Sequence, residues 1–87
     1  MHEATLMKGL MRRIEEIAKE QQAQRVVGVS VWLGALSHMS PAHFAEHFEE
    51  AAVGTIAEGA KLCATASDDV HHANAQDVLL ESIEVDA

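Results

Sequence analysis

The chain has almost no cysteine, few aromatic residues and little positive charge. Its one cysteine, Cys63, excludes an internal disulfide and any cysteine-rich zinc site. Phe44, Phe48 and Trp32 are the whole aromatic set, so the core must be assembled from Val, Leu, Ile, Ala and Met. Six basic residues against fourteen acidic ones leave a net charge of −8. That balance argues against nucleic acid, whose phosphates need a basic face, and against an anionic membrane surface. No apolar run approaches the ~20 residues a membrane-crossing helix needs. Lys8, Arg12 and Arg13 interrupt the N-terminal stretch before an apolar leader forms. A nucleotide loop, a nucleophile beside a base and paired carboxylates in a cleft are also missing. The hydrolase motif HExxH is absent too, since residues 43–47 read HFAEH. The expectation is a soluble, acidic, cytoplasmic domain that is not an enzyme.

Eighty-seven residues make one small domain, which buries only about 60–65% of its unfolded surface. From Glu3 to Gln22, Leu6, Met7, Leu10, Met11, Ile14, Ile17 and Ala18 form the i, i+3/i+4, i+7 stripe of an amphipathic helix. Gly9 interrupts it at a cost of about 1 kcal/mol against alanine, which suggests close packing against a neighbour. The run RVVGVSVWL alternates, with Val27, Val29, Val31 and Leu33 on one face and Val26, Ser30 and Trp32 on the other, as a strand does. Gly34 then suggests a bend or bulge. Ser40 followed by Pro41 reads as an N-cap with proline at the first helical position. That second helix runs to about Val53, burying Phe44, Phe48 and Ala51 or Ala52, with Gly54 ending it. AKLCATA is a shorter strand, residues 67–77 (SDDVHHANAQD) a polar loop, and VLLESIEV a third strand. The fold class is therefore α+β, a small three-stranded sheet with both helices packed on one face.

The chain opens Met-His-Glu. Histidine as residue two makes a tridentate chelate from the α-amine, the first backbone amide and the imidazole. Amine to His2 amide closes a five-membered ring through the metal, and that amide to His2 Nδ1 closes a six-membered one. Square-planar Ni(II) and Cu(II) suit such donors, and Zn(II) does not. Binding displaces protons, so affinity should rise with pH. The chelate needs Met1 to be retained, and a bulky second residue protects it from removal. One corner of the square stays open for the Glu3 amide or a side chain such as His38.

Three stretches sharpen this reading: the opening MHE, then VWLGALS with Pro41 soon after, then GTIAEGAKL. In that order and spacing the chain resembles the HypA/HybF family of nickel metallochaperones for [NiFe]-hydrogenase maturation. The likeness runs over residues 1–66, with SIEV near the end similar to the family's closing strand. The resemblance implies a nickel site at Met1, His2 and Glu3 on a domain of two helices and a three-stranded sheet. It implies the GTPase HypB and the hydrogenase large subunit as partners. The family's zinc domain, with two CxxC pairs, would be inserted where residues 67–77 stand without a cysteine, so no structural zinc is expected.

Other histidines have two readings each. His43 and His47 stand at i, i+4 on one helix face, either as a metal pair or at the edge of the buried stripe. With Glu46 they could also serve a small metal-dependent hydrolase. His71 and His72, after Asp68 and Asp69, are either a weak metal cluster or part of a solvated turn. Cys63 alternates with Leu62, yet a lone cysteine is most often a small buried hydrophobe. The rival to the nickel reading is a metal-independent interaction or regulatory module. Exposed strand edges would then favour a strand-exchanged homodimer.

Overall fold

The computed structural model describes residues 3–86. Helix α1 (Glu3–Glu20), strand β1 (Arg25–Leu33), helix α2 (Pro41–Ala52), strand β2 (Lys61–Ala66) and strand β3 (Val78–Asp86) follow in that order. β1 is central, pairing with β2 in parallel and with β3 antiparallel. A parallel pair needs a crossover, and α2 supplies it. Met7, Leu10, Met11, Ile14 and Ala18 of α1, Phe44, Phe48 and Ala52 of α2, and the inward side chains of β1 form one buried cluster. Both helices therefore cover one face of the sheet, as the periodicities predict. None of the described helices is long and apolar enough to cross a membrane.

The helix ends follow local chemistry. α1 closes with Ala23 N donating to Ala18 O at 2.9 Å and Gln22 N to Lys19 O at 3.0 Å, a Schellman arrangement with Gln22 left-handed at φ 56°. At α2, Ser40 Oγ accepts from His43 N at 3.2 Å, and Pro41 takes the first turn, where no amide partner is needed. Gly54 follows the helix with φ +80°, a backbone that glycine adopts without steric cost.

Three readings of the sequence are corrected. Strict alternation in β1 fails at its start: Val26 is fully buried and Val27 is 41% exposed. A register shift against β3 between Val26 and Gly28 explains it. The extra residue of a bulge inverts the phase, so Val26 shares the inner face with Val29, Val31 and Leu33. Cys63 is exposed, because the period of β2 turns Lys61, Cys63 and Thr65 outward while Leu62 and Ala64 point in; alternation outweighs the usual preference of cysteine. A methyl group at Gly9 would meet nothing within 4 Å, so close packing does not account for that glycine.

Gly34, by contrast, is required by tertiary contact. A Cβ there would lie 2.6 Å from Asn74 O and from Ala75 C, and closer still to Ala75 O. Residues 67–77 dock on this spot. Gly34 N donates to Asp77 O at 2.9 Å, Leu36 N to Ala75 O at 2.7 Å and Ser67 N to Leu33 O at 2.9 Å. Ala75 is buried. The polar segment between β2 and β3 is thus more than a solvated turn, since it caps the end of β1.

Candidate metal centre

Met1 and His2, the core of the expected nickel chelate, lie outside the described residues, and of Glu3 only the backbone, as the first residue of α1, is described. Leu6, in the second turn of α1, lines one cavity with Ser37, His38 and Met39 of the β1–α2 connection and with Asp77. His38 is exposed and left-handed at φ 62°, a conformation that costs an L-residue roughly 1–2 kcal/mol. The docking of Leu36 on Ala75 fixes the chain just before it. Beside it, Ser37 Oγ is shielded from solvent and finds no hydrogen-bond partner among the described residues.

A second cleft runs between the helices. Residues of α1 from Ala4 through Met7 and Met11 to Glu15 line it with His47, Glu50 and Ala51 of α2. His43 is exposed and His47 half-buried on α2, one turn apart. Their Nε2 atoms are 3.1 Å apart and their ring centroids 4.5 Å, with one nitrogen donating to the other. Phe44 and Phe48 take the adjacent stripe into the core, stacked at 6.5 Å. The core-edge position and the imidazole pairing therefore hold together.

His71 and His72 do not converge as ligands. Each is exposed, and His72 Nδ1 accepts from Asn74 N at 2.9 Å while its ring lies 4.8 Å from that of Trp32. His71 N donates to Asp69 Oδ1, and Asp69 N to Ser67 Oγ, so the acidic and hydroxyl groups shape turns here. No group of three or more His, Cys, Asp or Glu side chains converges on a common point among the described residues, and Glu46 joins no such group with His43 and His47. Sequence reasoning did not find Ser37. Its signal is burial in a cavity, which no local pattern encodes.

Two helices on one face of a three-stranded mixed sheet, with a paired His43 and His47 on the second helix, define a small α+β domain. A family model described as hydrogenase/urease nickel incorporation metallochaperone, HypA, matches residues 1–73. The chain belongs to the HypA family. It is 42% identical over 62 residues to hydrogenase maturation factor HypA 2 of Bradyrhizobium diazoefficiens, covering 71% of this chain and 55% of that protein. It is 40% identical over 62 residues to hydrogenase maturation factor HypA of Archaeoglobus fulgidus, covering 71% and 56%. The chain thus spans about half the length of the curated relatives it matches. The solution structure of the nickel metallochaperone HypA from Helicobacter pylori is similar in fold, with TM-score 0.82, 22% identity, and coverage of 100% of this chain and 99% of that one.

Proposed function

We propose that this chain is a nickel carrier which takes Ni(II) at its N-terminal Met-His-Glu and releases it to a partner during nickel-enzyme maturation. The donors are the Met1 amine, the His2 amide nitrogen and His2 Nδ1, with Glu3 or His38 for the remaining corner. The observation that carries the reading is the match of the nickel-incorporation family over residues 1–73, a span that includes Met1, His2 and Glu3. Family membership supplies the metal, and the chemistry of amine, amide and imidazole supplies the selectivity for a square-planar ion.

A terminus that fills three positions holds the ion while leaving a face for an incoming ligand, as transfer requires. By resemblance, the recipients are HypB and the hydrogenase large subunit, and the setting is the cytoplasm. With one cysteine, these 87 residues cannot assemble a four-thiolate zinc site. His2→Ala is the direct test by substitution. It should remove the tightest Ni(II)-binding event in calorimetry, and an unchanged isotherm would defeat the reading. The sheet order favours a second reading, an interaction module, because β2 and β3 each have one unpaired edge. Exposed Lys61 on β2 and Glu81, Glu84 and Asp86 on β3 oppose edge pairing. A dimer that forms regardless of nickel would support that alternative.

A further inference from the structure

We propose that His43 and His47 form a second metal site, a bidentate imidazole clamp on α2 for a divalent late first-row transition ion. The geometry is nearly that of a loaded site. Metal–nitrogen bonds of about 2.0–2.1 Å put two imidazole nitrogens about 2.9 Å apart in a cis square or octahedral arrangement and about 3.4 Å apart in a tetrahedral one. The two Nε2 atoms stand at 3.1 Å, between these values. An ion would sit between the two ring nitrogens in place of the hydrogen bond that joins them. The scaffold is rigid: His43 N is held by the Ser40 cap, and Phe44 and Phe48 anchor the same helix in the core. Imidazole is a borderline donor that suits Ni(II), Cu(II) and Zn(II). Such a site binds more weakly than a tridentate terminus and exchanges faster.

Its place gives it a role that rests on the carrier reading. His47 lines the cleft between the helices with α1 residues from Ala4 to Glu15, and the clamp serves there as a secondary, faster-exchanging position for the carrier's ion. Zn(II) separates the two sites, because the amine–amide chelate selects square-planar ions. Zn(II) calorimetry would be run on the intact chain and on H43A, H47A and the double variant, with circular dichroism to confirm folding. The intact chain should take up one Zn(II) through these residues. Each single variant should lose at least tenfold in affinity, and the double variant little more, because half a chelate is no chelate. His2→Ala should leave Zn(II) binding unchanged, so failure of the nickel terminus and failure of the clamp are told apart. Equal Zn(II) affinity in the intact chain and the double variant would overturn the proposal, as would independent, additive losses from the two single variants.

Discussion

Replacing Gly34 with alanine should unfold much of what distinguishes this chain's β2–β3 connection. The new methyl group would sit 2.6 Å from Asn74 O and Ala75 C, whereas ordinary van der Waals contact begins at 3.4 Å. The two backbones must separate by at least about 0.8 Å, the difference between those distances. A 2.9 Å hydrogen bond stretched that far is no longer one. Gly34 N to Asp77 O and Leu36 N to Ala75 O lie directly at the contact, and Ser67 N to Leu33 O lies beside it. At about 1 kcal/mol net for each bond, the substitution should cost roughly 2–3 kcal/mol, a large share of the 5–15 kcal/mol typical of a folded domain. Urea unfolding followed by circular dichroism measures this directly. The expected result is a midpoint lowered by about 2 M at unchanged slope, taking a slope near 1–1.5 kcal/mol/M for so small a chain. A loss below about 0.5 kcal/mol, within the range of neutral surface changes, would refute the docking of residues 67–77 on β1.

Gly9→Ala should act in the opposite direction. Nothing lies within 4 Å of the added methyl group, so helix propensity alone predicts a gain of about 0.5–1 kcal/mol in the same urea assay, and a loss would show a neighbour there. Exposed Cys63 should react with a thiol reagent in the folded protein at nearly the rate of the urea-unfolded chain. Protection of tenfold or more would mean that β2 turns its other face outward.

What the sequence makes legible here is what local chemistry decides. The stripe from Leu6 to Ala18, the Ser40-Pro41 start of α2 and the burial of Phe44 and Phe48 depend on spacing within one element, and all three are found. What it hides is set by partners far along the chain. The phase of Val26 and Val27 depends on a bulge against β3, and the need for glycine at position 34 depends on Ala75, 41 residues away. The candidate site divides in the same way. The chelate proposed for a histidine after the first residue rests on covalent geometry alone and is readable without a fold. The cavity that His38 shares with Leu6 is tertiary, whereas the i, i+4 spacing of His43 and His47 foretold their pairing.

The central claim is that the terminal amine is a nickel ligand. The measurement that tests it most directly is Ni(II) calorimetry on the chain with a free Met1 amine and on the same chain carrying one extra residue ahead of Met1. The extension moves the amine out of the five-membered ring and changes nothing in residues 3–86. The account predicts that the extended chain loses the tightest Ni(II)-binding event while any weaker one at His43 and His47 persists. Identical isotherms for the two chains would contradict it.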